Sequence, residues 1–164
     1  MENKLPKRKY NRLKYFDYST NGAYFITICT KDKRCILSSI VGEGLRALPK
    51  NILTPIGIEI EKSIEFINHN YDNVLINKHI IMPNHIHLIV ILNTKAGGHG
   101  NPPLQNVIGQ LKSYTTKIYG KQLWQCSYHD HIIRDEKDYL KIWEYINSNA
   151  LKWSEDKYYT EEKE

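Results

Sequence analysis

Between Asn73 and Leu92 the chain reads NVLINKHIIMPNHIHLIVIL, two runs rich in Ile, Val and Leu separated only by Pro83 and Asn84. Two strand-like runs with no more than a tight turn between them have one simple solution, an antiparallel hairpin. Their near-continuous apolar character is that of strands buried on both faces, so both belong in the middle of a sheet. Everything else in the chain has to cover such a hairpin.

The flanking segments supply that cover. Ala23 to Thr30, AYFITICT, is β-branched and aromatic and predicts a first strand. Arg34 to Leu48 holds two short apolar runs split by Gly42 and Gly44, compatible with a hairpin or a loose excursion. From Thr54 the pattern turns helical, with Thr54 as N-cap, Pro55 at the first helical position, and Ile56, Ile60, Ile64 and Ile67 on one face. Beyond the hairpin, NTKAGGHGNPP is the clearest loop. A second helix is expected from Leu104 to Tyr119, a last strand from Tyr128 to Arg134, and a helix from Asp135 to Asn149. That last helix has an acidic first turn and apolar Leu140, Ile142, Trp143 and Ile146. The order β-α-β-β-α-β-α predicts an α+β protein, a ferredoxin-like sandwich with helices on one face of an antiparallel sheet, plus a terminal helix that carries Tyr145.

The 164 residues suit one domain spanning 1–164, with residues 1–14 as a flexible basic arm. Lys and Arg outnumber Asp and Glu by 23 to 18, an excess that favours a polyanionic partner. The arm concentrates it: Lys4, Lys7, Arg8, Lys9, Arg12 and Lys14 stand against Glu2 alone, placed to follow phosphates if the arm is more than a solvated tail. Cys29, Cys35 and Cys126 have no CxxC spacing, which indicates neither a disulfide framework nor a four-thiolate zinc site and fits a reducing cytoplasm. The apolar runs fall far short of the ~20 residues that cross a bilayer, so no membrane partner is expected.

Two short patterns carry chemistry. In MPNHIHLIV, residues 82–90, side chains two apart share a strand face, so His85 and His87 project together while Ile86 and Leu88 enter a core. Two adjacent imidazoles make a bidentate metal platform that needs further ligands. In EYINSN, residues 144–149, Tyr145 and Asn149 stand four apart on one helical face, a phenol beside a carboxamide. Alone, each is ambiguous: HxH recurs by chance on half-exposed strands, and a chain with 12 tyrosines will place some on amphipathic helices.

In combination they are specific. MPNHIHLIV, QLKSYTTKI, LWQCSYHDHIIRDEKDY and EYINSNALKW, with the opening RLKYFDYSTNGAYFITICT, stand in an order and spacing that resemble the HUH-type single-tyrosine transposases, in particular their REP-associated tyrosine transposase branch. The resemblance runs from about Arg12 to Trp153. It implies a DNA transposase that cleaves and rejoins single-stranded DNA near hairpins through a 5′-phosphotyrosine, with Mg²⁺ or Mn²⁺. Carried over by position, Tyr145 is the nucleophile, His85 and His87 hold the metal, and Asn149 falls where related enzymes place an amide as third ligand. One departure is Ala150, where the branch commonly has Pro; losing that helix stop bears on local geometry more than on chemistry. The implied setting is the cytoplasm of a prokaryotic-type cell, acting on nucleoid DNA. A homodimer with shared sites and a self-contained chain both stay open.

The chemistry agrees with this resemblance. A phenol of pKa ~10 is a weak nucleophile near neutrality unless a cation offsets the charge that develops during attack. Further DNA contacts are expected from Arg8, Arg12 and Lys14 in the arm, from Lys112, Tyr114 and Lys117 in the KSYTTKIYGK run, from His129, His131 and Arg134, and from Trp124 as a stacking ring if it is not a core or rim residue like Trp143 and Trp153. No acidic pair suggests a two-metal nuclease, and Asp135, Glu136 and Asp138 are explained as helix N-terminal charges. The competing readings are an HUH-type site-specific nickase, which would use the same residues, and a non-catalytic DNA-binding relative of the fold.

Overall fold

The computed structural model describes residues 13–42, 48–94 and 100–160. Its main sheet has four antiparallel strands, β1 (Gly22–Cys29), β4 (Val74–Ile81), β5 (His85–Leu92) and β6 (His129–Ile133), in the order β4-β5-β1-β6. β2 (Ser38–Val41) and β3 (Lys50–Leu53) form a separate antiparallel pair; β2 falls within the Arg34–Leu48 segment read as a hairpin or an excursion, and β3 lies beyond it. The helices are α1 (Pro55–Asn70), α2 (Leu104–Tyr119) and α3 (Glu136–Ser148). Without the small hairpin, the element order is the expected ferredoxin-like one.

Local chemistry sets the helix ends. Thr54 Oγ1 accepts from Gly57 N (3.2 Å) ahead of Pro55, and Gly120, at φ 77°, closes α2 in the left-handed conformation open to glycine. Asp135 accepts from Asp138 N and caps α3. α1 buries Ile56, Ile60, Ile64 and Ile67, and α2 buries Leu104, Val107, Ile108 and Leu111. Both pack with Tyr24, Ile26 and Ile28 of β1 and Ile86, Leu88 and Val90 of β5 on one face of the sheet. α3 packs on the opposite face, where Ile142 and Ile146 meet Ile89, flanked by Phe25, Ile80, Ile91, Tyr139 and Trp143. Leu140, expected on its apolar stripe, is exposed instead, and Tyr139 stands in the stripe.

The β4–β5 hairpin closes through Met82 N to His85 O (2.9 Å), with Pro83 and Asn84 at its tip. Only β5 is central, however; β4 is an edge strand. Its apolar character arises because α1 covers one face and α3 the other. A bulge between Ile76 and Lys78 reverses its alternation, so that Val74 and Ile76 but then Ile81 face the α1/α2 core, while Ile80 faces α3.

Candidate active site

β5 pairs with β1 so that His87 stands opposite Thr27 and His85 opposite Cys29. The pleat sends Ile86 and Leu88 into the α1/α2 core and both histidines to the α3 face, where each is 0% exposed. Their Nε2 atoms lie 3.0 Å apart. Asn84 Nδ2 donates to the Tyr158 carbonyl (2.8 Å), which leaves its Oδ1 facing His85 Nδ1 at 2.9 Å. An amide oxygen only accepts, so His85 carries its proton on Nδ1 and presents a lone pair at Nε2. His87 Nδ1 is held by Thr27 Oγ1 at 2.8 Å. Burial, foremost, depresses the pKa of both imidazoles and keeps them neutral, the form that ligates metals.

α3 brings Tyr145 to this pair: its hydroxyl lies 3.2 Å from His87 Nε2 and donates to Asp156 Oδ2 at 3.1 Å. Burial and then the charge of Asp156 push the phenol pKa above its ordinary value, so the resting hydroxyl is protonated. Asn149, 2% exposed, donates Nδ2 to the same Oδ2 at 2.7 Å. Among the described residues, its own Oδ1 is buried without a hydrogen-bond partner. Asp156 Oδ1 accepts from Tyr158 N at 2.7 Å. The segment that carries Asp156 also covers the histidines, with the Tyr158 ring 4.6 Å and the Trp153 ring 6.0 Å from that of His85.

Asp156 is the residue that sequence reasoning missed. It stands eleven after Tyr145 and seven after Asn149, spacings that share one face of a helix but would carry it ~16 Å along the axis, out of reach. The helix instead stops at Ser148, the chain continues as a 3-10 turn over Ala150–Glu155 with Lys152 at non-helical angles, and the carboxylate returns to the phenol. The helix thus ends here with Ala150 in place of Pro.

These residues fit a divalent ion. Ligand atoms of His85, His87 and Asp156 all lie within 4.8 Å of one another. Imidazole and carboxylate together suit ions such as Mn²⁺.

Beside the histidines a cleft of about 450 Å³ is lined by Phe25, Thr27, Lys33, His129, His131, Lys157 and Tyr158, among others. It gathers two of the expected DNA contacts, His129 and His131; both are exposed, and His131 Nε2 pairs with Asp138 at 2.7 Å. Arg134 is exposed at the end of the same strand. The expected contacts on α2 lie across the sheet from the histidines: Tyr114 and Lys117 are exposed there, whereas Lys112 Nζ is tied to the Gln125 and Cys126 carbonyls. Trp124 corrects its expectation. It is 3% exposed and its indole N–H donates to Thr115 Oγ1 at 2.9 Å, so its ring packs the core and offers no face to a base. Lys14 is exposed, and Arg8 and Arg12 lie outside the described residues.

The fold is similar to that of a solved transposase. A REP-associated tyrosine transposase solved bound to a REP hairpin superimposes with a TM-score of 0.63 over 92% of this chain and 77% of that one, at 23% identity, a likeness of fold. By sequence, the chain belongs to the same family as an uncharacterized protein of Haemophilus influenzae, 33% identical over an alignment of 175 positions, gaps included, that covers 94% of each chain. A further solved structure, from Deinococcus radiodurans, shares 16% identity over 84% of this chain and 97% of that one; its TM-score of 0.44 is too low to inform the site. No protein-family model matches the sequence. Among the described residues, no helix is long and apolar enough to cross a membrane.

Proposed function

We propose that this chain is a tyrosine transposase, a strand transferase that cleaves and rejoins single-stranded DNA beside hairpins in a metal-assisted reaction. The observation that carries this reading is the 3.2 Å approach of the Tyr145 hydroxyl to His87 Nε2, beside a second imidazole nitrogen 3.0 Å from the first. The two histidines come from one strand and the phenol from a helix 58 residues further along, and a packing role alone gives no reason for three such groups to converge.

In the proposed reaction Tyr145 Oη attacks the scissile phosphorus. The Oη–P bond forms, the bond from phosphorus to the 3′ oxygen breaks, and the 3′ oxygen leaves as a hydroxyl once protonated, while the phenol gives up its proton. The product is a 5′-phosphotyrosine, which a second 3′ hydroxyl reverses, so no nucleotide cofactor is needed. Mg²⁺ or Mn²⁺ held by His85 and His87 would supply Lewis-acid polarisation of a non-bridging phosphate oxygen. Thr27 and Asn84 hold the imidazoles in place through their Nδ1 atoms. The cleft, lined by Lys33, Lys157, His129 and His131 and by one carboxylate, Asp130, offers cations and donors for the flanking backbone.

The test is a pool of single-stranded hairpin DNAs labelled at the 3′ end, incubated with the protein and Mn²⁺ or chelator, and resolved under denaturing conditions. A covalent adduct that needs both Tyr145 and metal is expected. An adduct retained in Tyr145→Phe would reassign the nucleophile, and a substrate that binds without any adduct would make the chain a non-catalytic binder.

A further inference from the structure

Resting on that reading of the site, we propose that Asp156 is the third protein ligand of the divalent ion and that Asn149 is its anchor, holding the carboxylate in place rather than ligating. Three observations carry this. Asp156 presents a carboxylate oxygen within 4.8 Å of both histidine ligand atoms. Both of its oxygens are oriented, Oδ1 by Tyr158 N at 2.7 Å and Oδ2 by Asn149 Nδ2 at 2.7 Å and the Tyr145 hydroxyl at 3.1 Å. Asn149 turns its donor nitrogen toward the carboxylate, a contact it would surrender in order to aim its oxygen at a cation.

Charge favours the same assignment. Two neutral imidazoles and a neutral amide would leave a buried dication uncompensated, whereas two imidazoles and a carboxylate reduce the net charge to one. Mg²⁺ and Mn²⁺ prefer oxygen ligands, and among side-chain oxygens the charged carboxylate binds them more strongly than an amide carbonyl. The phenol then sits against a ligand at each side, His87 and Asp156, so that one carboxylate couples metal binding to the position of the nucleophile. Asn149 in turn fixes Asp156 from the end of the same helix that carries Tyr145, which keeps all three in one relation.

Mn²⁺ titration of the full chain by calorimetry and by electron paramagnetic resonance tests this without any DNA. Asp156→Asn preserves volume and should weaken Mn²⁺ by roughly 100-fold or more, Asp156→Glu should recover much of the loss, and Asn149→Ala should cost roughly tenfold, the size of an outer-shell change. Aspartate labelled with ¹³C at the side-chain carboxyl should show hyperfine coupling to bound Mn²⁺ in the wild type and lose it in Asp156→Asn. Circular dichroism melting confirms that each variant is folded. Mn²⁺ affinity retained in Asp156→Asn, a loss in Asn149→Ala as large as that in Asp156→Asn, or no binding by the wild type overturns the assignment. The transposase reading is decided separately, by whether the DNA adduct depends on Tyr145.

Discussion

The two faces of the main sheet are built from alternate residues of the same strands, yet they differ in kind. Toward α1 and α2 the sheet shows Ile, Leu, Val and Tyr, and the helices close over it with more of the same. Toward α3 it shows Phe25, Thr27, His85, His87 and Ile89, and the cover combines a small apolar cluster with a phenol, an amide and a carboxylate. One face stores stability and the other tolerates buried polar groups by hydrogen-bonding them. A strand that is apolar throughout one face can carry functional groups on the other, because the pleat keeps the two sets apart.

Substitutions on the two faces of the sheet should break this comparison most clearly. Tyr145→Phe on the α3 face should lower adduct formation by at least about 10³-fold, as expected when a nucleophile is removed, while the melting temperature stays close to that of the wild type. Leu88→Ala, on the α1/α2 face, should do the reverse. It empties a fully buried site and should cost about 2–5 kcal/mol in denaturant unfolding, with any remaining folded protein still binding Mn²⁺. His87→Gln, its neighbour across the peptide bond, should abolish measurable Mn²⁺ binding and cost less stability than Leu88→Ala. If it unfolds the chain as Leu88→Ala does, the faces are not separable in this way.

Smaller effects sharpen the picture. Ile142→Ala, in the modest cluster under α3, should cost less than Leu88→Ala because it is 9% exposed against 0% and packs in a smaller cluster, yet it should reduce adduct formation by displacing Tyr145. The smallest effect is expected at the rim of the α1 face, where Glu61 accepts from His79 Nε2 at 2.9 Å and that contact holds its carboxyl below the ordinary range. A depressed carboxylate pKa stabilises the fold above the unfolded value, and the contribution is lost as pH falls through the folded value. Glu61→Gln should therefore flatten stability against pH below about 4.5, by less than about 1 kcal/mol for a partly exposed pair screened by solvent. Urea midpoints at pH 3, 4 and 6 would show it.

Much of this was legible in the linear chain, for local reasons. The Thr54-Pro55 start of α1, the hairpin around Pro83 and Asn84, and the shared face of His85 and His87 each depend on residues a few positions apart. Other features were not. The position of β4 at the edge was concealed because cover by α1 and α3 makes an edge strand as apolar as a central one. Trp124 reads as either a core or rim ring or a base-stacking one until Thr115 is seen receiving its N–H from within the core.

What the sequence determined by itself was the alternation that puts two imidazoles on one side of a strand and the helical spacing that puts Tyr145 and Asn149 on one stripe, because strand and helix periods are properties of the local backbone. What only the tertiary structure decided was that these two patterns meet at 3.2 Å, and that Asp156 joins them. The packing of α3 on Ile89 and the 3-10 turn after Ser148 set both outcomes, and neither depends on a period that a linear pattern can carry.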